Sequence, residues 1–509
     1  MRRKYFKYIA IFTLGLGILG SCTSDFLEVE PKGTMLESNY YKNRTEAFNG
    51  LIAVYDAVGY MGGNLVNKWG ATNSASDDFY AGGGHSTDVN AYQVWSNYTV
   101  DPATGPQEEL WKRNYSGIFR ANILLSKMPN VPMNEAEKNR FIAEAKALRA
   151  YFYFDLVRFF ENVPLITTPV SPDEMYSVVQ AAPEAVYSQI EQDLKDALTG
   201  GIPATVDVAV DGGRLTEGAV RALLGKVYLY QEKFGPAAEE LAKVNGTPGE
   251  TSQYGYRLVA NYADLFQSSN KHNSESIFEV KFTNTSAAGW GCANCGEGNI
   301  LAVMSGPRSY ARTPGSDAPA YASGWSFYTV IPAFVNVFRD DPRYAATVLD
   351  MKGLVEAGKA TYVAGYMDTG YFLKKFAALT SEIPSSGDPA LNFPHDIYEI
   401  RLADTYLMEA EALVRGNGNA DRALALLTAV RARVGLGAVP ATLENIKRER
   451  RFELAGEGHR WFDLIRWGDA PQALAFKGFV AGKHEILPIP LLELDNTALE
   501  QNKEYGGTK

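Results

Sequence analysis

The chain has 509 residues, of which 46% are hydrophobic and 12% aromatic, and this content excludes an intrinsically disordered protein. The net charge is −10, and the first 21 residues hold four basic side chains and no acidic one, so the remainder is more acidic still. An acidic body is a poor binder of polyanions, which argues against DNA or RNA as a partner. Three cysteines and five histidines make a multi-disulfide scaffold or a Cys/His zinc site unexpected.

Residues 1–21 have the features of an exported protein's signal peptide: a basic start and an apolar stretch over 8–19. That stretch is about a dozen residues long, too short to cross a bilayer core of roughly 30 Å. It ends in Leu19-Gly20-Ser21-Cys22, a sequence typical of a bacterial lipobox, in which the cysteine is acylated and the chain is cut before it. We therefore expect lipidation at Cys22 and a mature chain that is anchored rather than spanning. The alternative is a plain signal peptide with an incidental cysteine.

Apolar periodicity predicts helices over 46–58, 107–128, 134–160, 216–230, 235–244, 396–415, 420–434 and 442–455. Asn134 and Glu137 have the spacing of a capping box at the start of the third of these. Gly225, Ala237 and Leu241 have the spacing of a tetratricopeptide helix hairpin. Coincidence in an ordinary helix pair is the alternative explanation.

Two segments, 60–106 and 283–395, are rich in Gly, Ser, Asn, Asp, Pro and aromatic residues and lack helical periodicity. Loops of this length are usually functional. Short strands are expected at 276–282 and 360–376. The predicted fold is mainly α: tetratricopeptide-like helix pairs with large irregular loop-rich insertions and a few short strands. We expect an N-terminal part over 22–245 that contains insertion 60–106, and a C-terminal part over 246–509 that contains insertion 283–395.

The seven tryptophans fall into two groups. Trp111, Trp461 and Trp467 lie in helical stretches and are most simply explained as core residues. The others lie in the insertions together with many tyrosines, and the candidates for ligand contact are Trp69, Trp95, Trp290, Trp325 and Tyr321. A flat indole face stacks on the C–H face of a sugar ring, but it can also receive a peptide side chain or pin a long loop. Four tryptophans in two loop-rich segments favour a binding platform.

Asp77 and Asp78 precede Trp95 in the same insertion, where their carboxylates could accept hydrogen bonds from ligand hydroxyls. An Asx turn or a helix cap is the alternative role. Acidic clusters also bind Ca²⁺, so a structural calcium ion is a possible cofactor, although no spacing here forms an EF-hand loop.

Cys292 and Cys295 form a CxxC directly after Trp290, in a Gly-rich stretch of an exported chain. A local disulfide or two free thiols is favoured over a redox centre there. A disulfide would stiffen the loop that carries Trp290.

No motif supports an enzyme. The chain has no GxSxG elbow, no HExxH and no P-loop, and His459 does not have zincin spacing. Glycosidases need only two carboxylates, so the inventory of acids does not decide the question. The dense charge over 447–451 is interpreted as a solvated or ion-paired helix face.

Several stretches together resemble the SusD/RagB family of surface lipoproteins from Bacteroidetes. They occur in the family's order at 25–33, 144–157, 163–165, 399–404 with 409–412, 449–454 with 458–468, and 486–490. The resemblance implies tetratricopeptide-like helix pairs that support a loop-rich ligand-binding part. It also implies a non-catalytic, lipid-anchored protein of the outer membrane that captures glycan beside a SusC-type TonB-dependent transporter.

The same family includes peptide binders, so a RagB-like role in peptide import is the alternative. The ligand loops vary across the family, and the resemblance carries no binding residue over by motif. By approximate position, Trp95 falls where family members often place a stacking aromatic, and Trp290, Trp325 and Tyr321 fall in a second variable region.

Overall fold

The computed structural model describes residues 40–59 and 65–509, so the expected signal peptide and the lipidation at Cys22 lie outside the described residues. The described helices are α1 Arg44–Gly59, α2 Lys68–Ala75, α3 Asn90–Ser96, α4 Gln107–Lys127, α5 Glu135–Phe160, α6 Pro183–Thr199, α7 Val208–Asp211, α8 Glu217–Tyr230, α9 Phe234–Asn245, α10 Ile300–Ser305, α11 Pro332–Phe338, α12 Tyr344–Thr347, α13 Met351–Glu356, α14 Leu402–Arg415, α15 Ala420–Arg433, α16 Leu443–Glu453, α17 Arg460–Arg466, α18 Ala470–Ala473 and α19 Leu491–Leu494. The strands are β1 Val163–Pro164, β2 Gln180–Ala181, β3 Ser276–Val280, β4 Ala311–Arg312, β5 Val348–Asp350, β6 Ala360–Thr361, β7 Tyr371–Leu373 and β8 Ile397–Arg401.

The helix starts follow local capping chemistry. The Asn134 side chain accepts hydrogen bonds from the backbone N–H groups of Ala136 and Glu137, at 3.0 and 3.2 Å. The Glu137 carboxylate pairs with Arg44 on α1, so only the Asn134 half of the predicted capping box is made. The predicted start of this helix is thereby confirmed.

Helices α8 and α9 pack closely because of one glycine. A Cβ atom at Gly225 would lie 2.6 Å from Leu241 Cγ on the facing helix, so a larger residue would force the pair apart. Ala237 and Leu241 are fully buried at this contact. The tetratricopeptide-like pairing that the sequence predicts is confirmed for this pair, and the mainly helical fold class is confirmed for the described residues.

The charged run over 447–451 is ion-paired, as predicted, and part of it is buried. Arg450 is 2% exposed and lies 2.7 Å from Asp404, and Arg451 lies 2.9 Å from Asp77. Nearby, the fully buried Arg401 bridges Glu275 and Glu457 at 2.7 and 2.8 Å. Breaking such buried pairs is costly, so these stretches serve the scaffold.

Two predictions of secondary structure need correction. Residues 397–401 are strand β8 rather than helix, because β3 pairs with them antiparallel from a distant part of the chain. The two insertions are not free of helices: 60–106 contains α2 and α3, and 283–395 contains the short helices α10 to α13. Every residue of α2 is buried, so it has no polar face and no amphipathic period to reveal it. Helix α6 was not assigned from the sequence.

One large hydrophobic cluster extends from Ala47 to Ile489 and draws on both predicted parts of the chain. The strands form four antiparallel pairs, β1–β2, β3–β8, β4–β6 and β5–β7. The pairs β4–β6 and β5–β7 lie within insertion 283–395 and give it a framework. None of the helices in the described part of the chain combines the length and apolarity needed to cross a bilayer.

Candidate functional site

The indoles of Trp290 and Trp325 form a stacked pair at the surface. Their ring centroids are 6.2 Å apart and their planes are inclined by 24°. The side chain of Trp290 is 50% exposed, whereas Trp325 is partly buried against the main core. The distance between the ring centroids is that of two aromatic rings stacked with an offset, so Trp325 supports Trp290 from one side. The exposed surface of Trp290 is free to receive a flat apolar ligand face.

The turn that carries Trp290 is braced at two points. Trp290–Cys295 is a short 3-10 turn closed by a disulfide between Cys292 and Cys295. At its base, the fully buried Asn392 donates to the Ala288 carbonyl at 2.9 Å and accepts from the Ala288 N–H at 3.1 Å. An exposed aromatic that is held in one place loses less entropy when it binds a ligand.

The segment that carries Trp325 is held by a close backbone contact. A Cβ atom at Gly324 would lie 2.3 Å from the carbonyl oxygen of Gly306, so only glycine allows the two chain segments to meet there. The backbone N–H of Trp325 donates to the Val303 carbonyl at 2.8 Å. Trp325 therefore sits on a rigid support.

Polar groups lie next to this pair. Arg308 Nη2 donates to the Trp325 carbonyl at 3.1 Å and lies 3.7 Å from Asp88 Oδ2. The side chains of Arg308 and Asp88 are partly exposed. Asp88 also accepts a hydrogen bond from the Gly84 N–H at 2.7 Å. A guanidinium and a carboxylate beside an aromatic face are the groups that bind hydroxyls and fix a sugar's orientation.

The structure contradicts the predicted roles of Trp69 and Trp95 as surface binding residues. Trp95 is fully buried, 5.3 Å from the Trp461 ring and 5.4 Å from the Tyr98 ring. Trp69 is 3% exposed on the buried helix α2, with the ammonium of Lys68 5.2 Å from its ring. Both indoles belong to the core, because they lie on helices α2 and α3, which the sequence does not reveal and which pack into the protein interior.

Asp77 and Asp78 are also corrected, because both carboxylates are engaged in ion pairs. Asp77 forms a two-pronged pair with Arg460 at 2.7 and 2.9 Å, and Asp78 lies 2.8 Å from Arg451. Burial by itself would raise the pKa of Asp77, but the guanidinium groups of Arg460 and Arg451 together outweigh burial and the pKa is lowered. Burial raises the pKa of Asp78. These acids tie α2's end to the C-terminal helices rather than facing a ligand.

Tyr321 is 6% exposed and packs edge-on against Tyr310, with ring centroids 5.6 Å apart. It lines a separate cavity of about 810 Å³ and is not part of the tryptophan pair. Another groove, of about 480 Å³ between α4 and the C-terminal segment, exposes mostly apolar surface.

Arg308, Asp88 and Asn392 were missed by the sequence analysis. Each stands in an irregular segment with no motif around it. Arg308 and Asp88 meet from distant parts of the chain, as do Asn392 and Ala288. No signal short of the tertiary structure could have singled them out. Among the described residues, no three His, Cys, Asp or Glu side chains converge where they could hold a metal ion, so no calcium position is assigned.

Comparison with known proteins places this chain in a family. Residues 274–503 match the model of the SusD family, and residues 25–229 match a model described as starch-binding, associating with the outer membrane. A solved structure of a laminarin binding SusD-like protein is 54% identical, with a TM-score of 0.88, over 91% of this chain and 99% of that one. The chain belongs to the SusD family.

Other relatives are more distant but match over nearly their whole length. Surface glycan-binding protein A from Bacteroides thetaiotaomicron, solved in complex with laminarihexaose, is 26% identical, with a TM-score of 0.79, over 89% of this chain and 97% of that one. SusD-like protein P25 from Formosa agariphila is 25% identical over 94% of this chain and 95% of that protein. The resemblance stated from the sequence is confirmed.

Proposed function

We propose that this SusD-family protein binds a β-glucan of the laminarin type and does not cleave it. The observation that carries the proposal is the half-exposed Trp290 held against Trp325. An indole face is apolar and flat, as is the C–H face of a glucose ring, and burying the two together removes apolar surface from water. Arg308 and Asp88 stand beside the pair to bind hydroxyls.

The named relatives favour a glycan over the peptide alternative. A protein that is 54% identical is described as laminarin binding, and a second relative was solved with laminarihexaose. Neither description mentions a peptide. The choice of laminarin for this chain rests on these relatives together with the tryptophan pair, which by itself would accept any glycan that offers a flat sugar face.

Non-catalytic binding is supported by where the acids lie. Asp77 and Asp78, the acids that the sequence predicts to contact a ligand, are occupied by Arg460 and Arg451. Asp88 beside the tryptophan pair faces Arg308. Glycoside cleavage needs two carboxyl groups on either side of one bond, with one of them protonated as the acid.

We further propose that lipid on Cys22 anchors the mature chain at the outer-membrane surface and that it delivers glycan to a SusC-type TonB-dependent transporter. The lipobox-like end of 1–21 and the SusD-family membership support this arrangement. Co-purification of a SusC-type transporter with the tagged full-length chain from its native membrane is the expected result. Recovery of the chain in the soluble fraction after Cys22→Ala would support the anchor, and membrane retention of that variant would contradict it.

The binding proposal is tested by titrating the purified mature chain with laminarihexaose, maltohexaose and cellohexaose in a calorimeter. We expect binding of laminarihexaose in preference to the other two. Incubation with laminarin should release no reducing ends. The absence of laminarihexaose binding would refute the proposed ligand. Release of reducing ends that requires the purified protein would refute the non-catalytic role.

A further inference from the structure

Two buried carboxyl groups meet where insertion 283–395 leaves the scaffold and returns to it. Glu279 lies in β3, before the insertion, and Asp396 lies directly after it, next to β8. Glu279 is 5% exposed, and so is the Asp396 side chain. The two carboxyl groups are in hydrogen-bonding contact. Two negative charges this close in a buried place disfavour each other, so we expect the pair to hold one proton.

The hydrogen bonds around the pair leave a place for that proton. Glu279 Oε2 accepts from the His272 N–H at 2.9 Å and from the Ser276 hydroxyl at 2.5 Å. The buried Asp396 Oδ2, by contrast, has no hydrogen-bond donor among the described residues. Buried acceptors are normally satisfied. A proton on the Glu279 carboxyl supplies the donor that Asp396 Oδ2 lacks.

Asp396 also ties the two ends of the insertion together. Its Oδ1 accepts from the Phe282 N–H at 2.7 Å and from the Lys271 ammonium at 2.6 Å. The same ammonium donates to the Phe282 carbonyl at 2.5 Å. Phe282 directly precedes the insertion and Asp396 directly follows it. These three hydrogen bonds therefore join the point where the insertion begins to the point where it ends.

The turn that carries Trp290 is built on this junction. The Thr283 N–H donates to the Glu297 carbonyl at 2.7 Å, which closes a loop around Trp290. The Asn299 side chain donates to the His395 carbonyl at 2.7 Å. The base of the loop is thus one residue from Phe282 at one end and is bonded to the neighbour of Asp396 at the other. A displacement of the junction reaches the Trp290 loop by a short route.

Other ionisable groups face the pair from several elements. Burial lowers the pKa of His272, whose Nδ1 lies 3.6 Å from Glu279 Oε2, so this ring is neutral at neutral pH. Across a small cavity, burial lowers the pKa of Lys375 to about 8, and Lys375 pairs with Glu457 at 2.7 Å. The remaining groups are Arg214, Lys271, Lys281, His395 and Tyr398. Lys375 titrates close to neutral pH, so a substitution at Glu279 is needed to separate the two effects.

The proton on Glu279 is lost near neutral pH. Burial, together with the charge of Asp396, raises the pKa of Glu279 to about 7. The unfolded chain loses the same proton at about pH 4.5, so the stabilisation from the proton is complete below pH 4.5 and is lost as the pH rises through about 7. Ionised Glu279 repels Asp396, and Asp396 Oδ2 is again without a donor.

We propose that Glu279 and Asp396 form a pH-sensitive clamp, which orders the Trp290 loop while they share a proton and loosens it when the proton is lost. The clamp rests on the proposed function, because it regulates the site at which the glycan is bound. Glycan binding and proton binding then favour each other, since both are strongest in the ordered loop. Above pH 7, binding of the glycan takes up a proton.

The test is a calorimetric titration of the mature chain with laminarihexaose between about pH 5.5 and about pH 8.5, in buffers of different ionisation enthalpy. Glu279→Gln is the deciding variant. Its amide keeps the shape, accepts from Ser276, donates to Asp396 and stays neutral at every pH. Glu297→Gln is the matched control, because it removes an acid from the Trp290 loop but outside the clamp. A thermal melt checks that each variant is folded.

We expect the wild type to bind laminarihexaose about threefold or more weakly at the upper pH than at the lower, with proton uptake above about pH 7. Glu297→Gln should behave in the same way. Glu279→Gln should keep nearly the same affinity over the whole range and take up no proton. The infrared difference spectrum between the wild type and Glu279→Gln should show the C=O band of a protonated carboxyl at the lower pH and lose it at the upper.

Equal wild-type affinity over the whole range would overturn the clamp and leave the proposed function intact. A pH dependence that survives Glu279→Gln would also overturn it, because Lys375 or another group would then be responsible. Absence of the carboxyl band would refute the shared proton whatever the affinities. If the band is present and no laminarihexaose binds at any pH, the shared proton stands, whereas the proposed function and its regulation are refuted.

Discussion

The rings of Trp290 and Trp325 come from separate turns of the chain and meet with centroids 6.2 Å apart and planes inclined by 24°. Trp290 presents the exposed face, and Trp325 lies under it, partly buried in the core. The two residues therefore contribute differently to a stacking site: one by contact with the ligand and the other by holding the first in place.

Trp290→Ala should weaken laminarihexaose binding about five- to thirtyfold, because one ring–sugar stack is worth about 1–2 kcal/mol. Trp325→Ala should weaken it as well, with a larger loss of thermal stability, since its ring packs on the core. Calorimetry measures both. Phe476→Ala removes an aromatic ring of similar exposure, 58%, from another segment and should leave affinity unchanged. Equal affinity in the wild type and Trp290→Ala would exclude the platform.

Replacing both Cys292 and Cys295 by alanine should weaken glycan binding severalfold and hardly change the melting temperature. The disulfide closes only the short turn that carries Trp290, so its loss frees that turn and leaves the core alone. A reducing agent should have the same effect on the wild type. It should have none on Trp290→Ala, which serves as the matched control. Unchanged affinity after verified reduction would show that the turn is held by Asn392 alone.

Trp95→Ala should destabilise the fold by about 3–5 kcal/mol, the usual cost of emptying a large buried aromatic site. Trp95 is fully buried against Trp461, so the folded fraction should bind laminarihexaose as the wild type does. Urea denaturation and calorimetry well below the melting temperature give the two quantities. A loss of affinity with stability unchanged would mean that the ring reaches the ligand.

Arg401→Met should cost about 3–5 kcal/mol of the free energy of unfolding, because it leaves buried carboxylates without their cation. Arg401 lies 2.7 Å from Glu275 and 2.8 Å from Glu457, and all three are almost fully buried. Arg44→Met is the matched control, since its pair with Glu137 is exposed and should be worth less than about 1 kcal/mol. Similar losses in the two variants would contradict the distinction.

The buried acid Glu457 should make stability depend on pH. Burial opposes ionisation, but Arg401 and Lys375 outweigh it and lower the pKa of Glu457 to about 2. The unfolded chain binds this proton at about pH 4.5, so the carboxylate's stabilisation is complete above that pH and is lost as the pH falls toward 2. The difference in free energy of unfolding between wild type and Glu457→Gln should therefore be largest above pH 5 and shrink below 4.5. Urea titrations at several pH values measure it. A difference that does not change with pH would show that the charge is unimportant.

Much of the helical scaffold could be predicted because its signals are local. Asn134 and Thr216 cap helices from their own side chains, and Gly225 permits a contact with a helix only a few residues further along. Strand β8 was predicted as helix because Ile397 and Ile400 fit either pattern, and only pairing with distant β3 selects the strand.

The candidate site was predicted only in part. The sequence pointed to insertion 283–395 and to the turn closed by Cys292 and Cys295, since tryptophan and cysteine are conspicuous in a loop-rich stretch. It gave no sign of Arg308 or Asn392, whose roles depend on Trp325 and Ala288 as partners.

The amino-acid sequence alone determined the helical scaffold, the family and the set of loop tryptophans, because composition, periodicity and motif order are properties of the chain itself. Tertiary structure decided which of those tryptophans a ligand can reach. Trp95 is covered by Trp461, a residue from the far end of the chain, whereas half of Trp290 stays in solvent. The exposure of a side chain depends on every segment that folds near it, and a linear pattern does not contain that information.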